Sequence, residues 1–324
     1  MAILFVGSSP EDLGGITYAN TLTKGRDPDY TPTGSTVSGA FNGSGGGFTI
    51  NHAQGVSNTT WYHFLFHTTQ PVSGSTLQDG YWFRVLSGTT EVCRLDTENA
   101  LWYLVGGGQT SASFSPFASG ADITYDVKVV TTGTNVTVEV YQGGVSAASI
   151  TYASSLAAPD AISFDHYDIT TVWNTYYYYY SECMVTDGES TISWRLASLA
   201  PSANGTHTDW SGAVADIIHY GDGLGISSST AGQKESWTLS TYSGSATSSA
   251  VRAVVNKFYG SSADTGPSRI TTFIRHAATD VDGSTYLLTD PPLVMDVLDD
   301  NPQTTLGWNT GDLATLQIGV KSAT

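Results

Sequence analysis

The stretch ITYDVKVVTTGTNVTVEVYQGG, residues 123–144, decides the fold of the surrounding chain. Apolar residues occupy alternate positions in both of its arms: Tyr125, Val127 and Val129 in the first, and Val136, Val138 and Val140 in the second. Because neighbouring side chains of a strand point to opposite faces, this period predicts two strands that are apolar on one face. Gly133 in the central TTGTN can adopt the positive φ of a tight turn. The stretch therefore predicts a β-hairpin in a sheet that packs on one side.

Similar short runs occur on the N-terminal side of this hairpin. They are TWYHFLFHT (60–68), GYWFRVLSG (80–88), TEVCRLD (90–96) and ALWYLV (100–105), with Gly, Ser, Asp and Asn between them. Several strands at turn spacing are typical of a β-sandwich. Helical periodicity is confined to residues 308–320, where we expect Thr310 to cap a short turn. The chain is predicted to be all-β, with two β-sandwich domains of the jelly-roll type.

A domain boundary is predicted at VTDGES, residues 185–190, where a long strand pattern ends in turn residues. A new series of strands follows, joined by linkers rich in Gly and Ser. We therefore expect one domain over residues 1–187 and a second over residues 188–324.

The composition excludes several classes of partner. The formal net charge of the 324 residues is −17 and only 13% of them are charged. Nucleic acids and anionic lipid surfaces need clustered Lys and Arg, so neither is an expected partner. No apolar stretch reaches about 18 residues, which argues against membrane insertion. The start MAILFVGSSP lacks the basic region of a signal peptide, and we expect a protein made in the cytoplasm.

Metal and thiol chemistry has little support. Cys93 and Cys183 are predicted to be buried free thiols rather than a disulfide. His63 and His67 would share a strand face about 13 Å apart, too far for one metal ion, so structural contacts are expected. No cofactor is predicted; a calcium site at Asp165 and Asp168 is a weak alternative.

A glycosidase on a sandwich of this kind carries two or three carboxylates on one strand face. The nearest approach is Glu182, Asp187 and Glu189, whose spacing is wrong and which are interpreted as a solvated strand end. No G-x-S-x-G motif offers a nucleophilic serine. The prediction is a protein that is not an enzyme, with a glycan depolymerase as the alternative.

The run VWNTYYYYYSECMV, residues 172–185, places bulky rings on both faces of a strand. Counting alternate positions from Val185 puts Cys183, Tyr179 and Tyr177 inward. It puts the even positions outward, as interface or ligand contacts: Tyr176, Tyr178, Tyr180 and Glu182. The expected covers of that outward face are the second domain, then a neighbouring subunit, then a glycan.

Two resemblances add to this interpretation. The segments DGYWFRVLSG, YDVKVVTTGTNVTVEVYQGG and DAISFDHYDI resemble the concanavalin A-like lectin and glucanase sandwich, including its laminin-G-like relatives. The resemblance implies a β-sandwich of the kind that binds glycans.

The second half resembles tailed-phage virion structural proteins, over residues 178–324. It carries YSECMVTDGEST and the closing segment DDNPQTTLGWNTGDLATLQIGVKS. The matching residues are Asn301, Pro302, Thr304, Trp308, Leu316, Gln317, Gly319 and Val320. One extra residue between Thr304 and Trp308 departs from the pattern. The resemblance implies a tail or baseplate fibre-type protein, or a head decoration, and no catalytic residues.

Together these observations predict a virion surface protein. Its first domain would bind a host-surface glycan or neighbouring virion subunits, and its second would attach to the particle or form a homotrimer. A purely structural cement protein is a further alternative.

Overall fold

The computed structural model describes residues 2–7, 39–42, 47–68, 80–98, 101–115, 122–165, 177–197, 199–217, 225–242, 251–262, 265–288 and 293–324. The prediction of an all-β chain is confirmed. The chain forms two compact units, Met1–Leu196 and Ala197–Thr324. The boundary predicted after residue 187 lies inside unit 1, and the contacts of Arg195 described below account for the difference.

Unit 1 is a sandwich of two antiparallel sheets. Its strands are β1 (Ala2–Gly7), β2 (Gly39–Asn42), β3 (Gly47–Asn51), β4 (Thr59–Thr68), β5 (Gly80–Ser87), β6 (Thr90–Glu98), β7 (Leu101–Gly106), β8 (Gln109–Thr110), β9 (Ile123–Thr131), β10 (Asn135–Gln142), β11 (Val145–Ala153), β12 (Ala161–Asp165) and β13 (Tyr177–Asp187). The first sheet has the order β1-β13-β4-β9-β10-β11, with β2 also paired to β13, and the second has the order β3-β12-β5-β6-β7-β8. Both sheets contribute to one hydrophobic core.

The predicted hairpin is present as β9 and β10, and Thr131 pairs with Val136 across the turn. Gly133 has a φ of 80° there. The alternating valines of both strands are fully buried: Val127, Val129, Val136, Val138 and Val140 are each 0% exposed. The alternation therefore marks the core face of the first sheet, as predicted.

Strand β13 contains a bulge that the alternation rule does not foresee. Ser181 pairs with Leu65, but the next pair is Met184 with His63, so β13 carries one extra residue. Tyr180, Cys183 and Val185 consequently all point into the core.

The bulge corrects the predicted faces of the tyrosine run. Tyr180 was expected outside, yet it is 2% exposed and its ring lies 4.7 Å from that of Phe164. The prediction was wrong because alternate positions were counted through the bulge. Tyr176 and the side chain of Tyr178 lie outside the described residues.

Glu182 forms the bulge and has the left-handed φ of 53°. Its carboxylate is 0% exposed and accepts hydrogen bonds from Arg195 at 2.8 and 2.7 Å and from the Leu196 amide at 3.1 Å. The interpretation of Glu182 as part of a solvated strand end is therefore wrong. The same applies to Asp187, which is 8% exposed and accepts hydrogen bonds from the amides of Val56 and Ser57.

A buried polar group ties the chain after β13 to the outer face of the first sheet. Asp126 Oδ1 accepts one hydrogen bond from the Thr191 hydroxyl at 2.7 Å. The same oxygen lies 2.8 Å from Nδ1 of His63. Both Asp126 and His63 are fully buried side chains, so the structural role predicted for His63 is confirmed. Cys93 and Cys183 are free and buried, also as expected.

Unit 2 pairs a five-stranded sheet with a smaller ladder. Its strands are β14 (Pro201–Thr208), β15 (Lys234–Leu239), β16 (Val254–Tyr259), β17 (Arg269–His276), β18 (Thr279–Leu287), β19 (Leu293–Leu298), β20 (Asp300–Asn301), β21 (Leu306–Gly307) and β22 (Gln317–Ala323). A 3₁₀ turn covers Val214–Ile217, and the short helix α1 covers Thr310–Leu313. The main sheet has the order β14-β15-β22-β17-β18, and β16 pairs with β19.

The closing segment of the sequence packs into unit 2. Asn301, Trp308, Leu316 and Val320 are each at most 4% exposed. The cap of α1 is Asn309, one residue before the predicted Thr310. Most of the eight residues that carry the virion-protein resemblance are therefore buried in this unit, whereas Thr304 is exposed.

Arg195→Ala should lower the free energy of unfolding of unit 1 by about 2 kcal/mol, because it leaves the buried Glu182 carboxylate without its cation. Urea denaturation measures the change. Lys128→Ala is the control: its pair with Glu139 is 29% exposed on both sides and should contribute less than about 1 kcal/mol. Equal losses in the two variants would contradict the role given to Glu182.

The β17–β18 turn offers a second test. Ala277 and Ala278 have φ values of 44° and 71°, which alanine adopts only with strain. Replacing the pair with Asn-Gly should stabilise unit 2 by about 1 kcal/mol, since these residues favour this turn. Ala278→Val should destabilise it. The midpoint of thermal unfolding measures both changes. A lower midpoint for the Asn-Gly variant than for Ala278→Val would contradict the positive φ values of this turn.

Candidate functional site

The outer face of the second sheet of unit 1 concentrates side chains suited to ligand binding. The residues of this face, here called the outer-face cluster, are Tyr81, Arg84, Glu91, Arg94, Asp96 and Tyr103. They lie on β5, β6 and β7, the middle of the sheet, and all six are partly exposed. Two β-bulges place them there.

The first bulge is at Trp82 in β5. Tyr81 pairs with Asp96, but the next pair is Phe83 with Leu95, so Trp82 is the extra residue. Trp82 and Phe83 both point into the core, at 7% and 1% exposure. Tyr81 and Arg84 are therefore both left on the outer face, three positions apart.

The second bulge lies in β6, where Val85 pairs with Cys93 and Leu86 pairs with Glu91. Val92 and Cys93 are both 0% exposed in the core. Strict alternation would put Glu91 and Asp96 on opposite faces, since they are five positions apart. The bulge brings both carboxylates to the same face as Arg94.

Arg94 joins the two carboxylates. Its Nε donates to Asp96 at 2.8 Å, and its Nη1 donates to Glu91 at 2.9 Å. The hydrogen bond with Asp96, followed by the charge of both carboxylates, raises the pKa of Arg94 despite its partial burial. The three side chains retain 27% to 35% of their exposure, so a ligand can reach them.

Aromatic rings flank this charged group. Asp96 pairs with Tyr81 on one side and with Tyr103 on the other. Two strand spacings separate these tyrosines, about 10 Å. The Arg84 guanidinium lies 4.8 Å from the centre of the Tyr81 ring, a cation–π contact that orders both side chains.

This arrangement suits a polyhydroxylated ligand. Carboxylates accept hydrogen bonds from hydroxyl groups, guanidinium groups donate to them, and tyrosine rings offer flat apolar surfaces with a polar tip. A sugar ring presents both hydroxyl groups and apolar C–H faces. The row Tyr81, Asp96 and Tyr103 therefore presents hydrogen-bonding groups and apolar rings side by side.

The site residues predicted from the sequence lie elsewhere. Tyr180 belongs to the core and Glu182 to the buried contact with Arg195. Asp165 ends β12, and Asp168 falls outside the described residues, so the calcium alternative stays a prediction. Within the described ranges, no group of three or more His, Cys, Asp and Glu side chains is placed to hold a metal ion.

In that part of the chain, no helix has the length and apolar character needed to cross a membrane.

Similarity to known proteins is confined to solved structures. Neither a protein-family model nor a curated protein matches the sequence. Among solved structures, a sialidase is similar at 12% identity and a TM-score of 0.37, over 52% of this chain and 16% of that one. A GH131 β-glucanase catalytic domain from Podospora anserina is similar at 14% identity and a TM-score of 0.40, over 60% and 99%.

The binding domain of botulinum neurotoxin DC, in complex with SialylT, is similar at 10% identity and a TM-score of 0.39. The matched region covers 92% of this chain and 78% of that domain. This chain spans about a sixth of the sialidase. These neighbours are β-sandwich domains that bind or process carbohydrates, and at such identities the likeness concerns the fold alone.

The prediction that the chain is not an enzyme is overturned. The sialidase and the β-glucanase catalytic domain show that glycan-active enzymes are among the structures similar to this sandwich. The prediction rested on the lack of a carboxylate pair with regular strand spacing. That reasoning missed Glu91 and Asp96, which share a face only because of the bulge in β6.

The sequence did contain a signal for this cluster. TEVCRLD has Val92 and Cys93 as adjacent apolar residues between polar ones, which breaks the period of two. Two consecutive inward residues in an otherwise alternating strand indicate a bulge. Sequence alone does not show that the flanking Glu91 and Asp96 meet at Arg94.

Thiol labelling tests the bulge in β6. Val92→Cys should react with a thiol reagent as slowly as Cys93, whose burial raises the pKa of its thiol, whereas Glu91→Cys should react fast. The rate of modification of the native chain is the measurement. Regular alternation would put either Cys93 or Val92 on the outer face. Fast labelling of Cys93, or fast labelling of Val92→Cys together with slow labelling of Glu91→Cys, would therefore show that β6 has no bulge and that the outer-face cluster is misassigned.

Proposed function

We propose that unit 1 binds a glycan chain through the outer-face cluster. The observation that carries this proposal is the placement of Glu91, Arg94 and Asp96, with a tyrosine on either side of Asp96, on one partly exposed sheet face. Hydrogen-bonding groups of both signs lie beside apolar rings there, and this combination matches the mixed surface of a sugar. The mutual ion pairs hold the polar groups in place before the ligand arrives, which lowers the entropic cost of binding.

Point variants test this binding. Tyr103→Ala should remove a stacking surface, and Asp96→Asn should disrupt the contact with Arg94; each should weaken glycan binding at least about tenfold. A glycan array identifies a ligand, and calorimetry on that ligand measures the affinities. Lys128→Ala is the matched control, since it breaks a similarly exposed ion pair on the other sheet.

The array result decides the proposal. Glycan binding that is lost in Tyr103→Ala and Asp96→Asn but kept in Lys128→Ala supports it. Binding that is unchanged in the first two variants places the glycan elsewhere on the chain.

Cleavage of the bound glycan is the second candidate function. The specific observation is the pair Glu91 and Asp96, two carboxylates held at one guanidinium on the exposed face. A glycosidase needs two carboxyl groups on either side of the scissile bond. The assay is release of reducing ends from the glycan that the array identifies.

If the chain cleaves its ligand, Glu91→Gln and Asp96→Asn should abolish turnover. Glu91→Gln should leave much of the binding, because the amide keeps the size and one acceptor of the carboxylate. Turnover that persists in both variants would exclude this pair as the catalytic groups.

We further propose that the protein acts at the surface of a tailed-phage virion, with unit 2 joining it to the particle or to copies of itself. The support is the resemblance of residues 178–324, with matches that include Asn301, Trp308 and Gly319. In this proposal the glycan belongs to the host surface, and the partners of unit 2 are other virion subunits. Mass spectrometry of purified particles tests the location, and light scattering of the isolated chain tests the trimer.

A further inference from the structure

We propose that unit 2 carries an oxyanion-binding site, formed by Lys234, Arg275 and His207 around the carboxylate of Asp280. The ligand is a sulfate, phosphate or carboxylate group, either free or carried by a larger molecule. This site is separate from the outer-face cluster and does not depend on glycan binding by unit 1.

Three nitrogen groups converge on one carboxylate. Lys234 Nζ lies 2.7 Å and His207 Nε2 lies 2.8 Å from one oxygen of Asp280, and Arg275 Nη1 lies 2.5 Å from the other. The four residues come from β15, β14, β18 and β17 of the main sheet. Because β14 and β18 are its two edge strands, the hydrogen bond between the side chains of His207 and Asp280 spans one face of the sheet.

Phe273 and Gly319 lie beneath this charged group. A Cβ at residue 319 would lie 2.2 Å from the Phe273 ring, so only glycine lets the ring lie across β22. Lys234 Nζ is 5.2 Å from the centre of that ring, and the His207 ring meets its edge at 5.6 Å. The nitrogen groups are therefore held over a rigid apolar base and point to a common position.

The charged group carries a formal positive charge. Lys234 and Arg275 place two permanent cations against the single charge of Asp280. Lys321 on the same face is paired with Asp282, so that pair leaves this balance unchanged. Such a surplus stands out in a chain whose formal net charge is −17.

Lys234 and Arg275 also have N–H groups that the contacts with Asp280 do not use. A lysine has three donors and an arginine has five, and each uses one on Asp280. Their side chains are 26% and 18% exposed, so the remaining donors are partly shielded from water but open to a ligand. An oxyanion can accept hydrogen bonds from both at once.

The electrostatics of Asp280 agree with this geometry. Partial burial raises the pKa of its carboxyl, but the hydrogen bonds from Lys234, Arg275 and His207 outweigh burial and lower the pKa to about 2. Asp280 therefore stays ionised and keeps the three nitrogen groups in place.

The experiment titrates the 324-residue chain with sodium sulfate. Sodium chloride is lowered as sulfate is added, so that the ionic strength stays constant. Saturable stabilisation by sulfate, seen as a rise in the thermal unfolding midpoint of unit 2, is the expected result. Arg275→Gln and Lys234→Gln should each weaken the fitted affinity at least about tenfold. Asp280→Asn should strengthen it, because it frees three donors and removes a competing charge.

Two controls separate binding from folding. Lys128→Gln removes the same charge from a singly paired lysine of unit 1 and should leave sulfate affinity unchanged. Arg275→Lys keeps the charge and should retain more affinity than Arg275→Gln, which a purely structural role of Arg275 would not predict. The proposal fails if sulfate gives no saturable effect beyond sodium chloride, or if Asp280→Asn does not bind it more tightly.

A second arm identifies the source of the anion. A sulfated oligosaccharide that binds more tightly than inorganic sulfate indicates an acidic glycan as the carrier. Equal affinities indicate a free oxyanion. The unsulfated oligosaccharide should not compete with sulfate in either case, and competition by it would overturn the assignment of an oxyanion site.

Discussion

The buried carboxylate of Glu182 is the constraint on which the architecture of unit 1 depends. A carboxylate with no exposure must find cations or amide donors inside the protein, and Arg195 and Leu196 supply them. This requirement draws the chain after β13 back over the first sheet, where Thr191 binds Asp126. It also agrees with the end of unit 1 at Leu196 rather than at the turn after Asp187.

The bulge at Glu182 has a second effect, on the other edge of β13. Residues 177–180 pair with β2, whereas residues 183–187 pair with β1. Glu182 lies where one partner strand replaces the other. β5 and β6 also contain bulges, which turn Trp82 and Val92 inward and leave Tyr81 and Glu91 outside. Breaks in alternation thus complete the core and build the outer-face cluster together.

Unit 2 reaches a polar site by a different route. Gly319 admits the Phe273 ring, and side chains from both edge strands, His207 and Asp280, meet on the same face of the sheet. The opposite face of the same sheet contributes Trp237, Ile270 and Val320 to the core. The packing residues of the closing segment therefore support both the core and the charged group above it.

The sequence by itself determined the fold class, the β9–β10 hairpin and the burial of its valines, because period-two alternation and a turn glycine are local properties. It also predicted the structural role of His63 and the free thiols. Only the tertiary structure decided the face of Tyr180 and the meeting of Glu91 and Asp96 at Arg94, since one inserted residue reverses every face beyond it. Whether an insertion occurs depends on the partner strand and on where a buried charge such as Glu182 finds its cation. Those contacts join distant parts of the chain, and no local pattern encodes them.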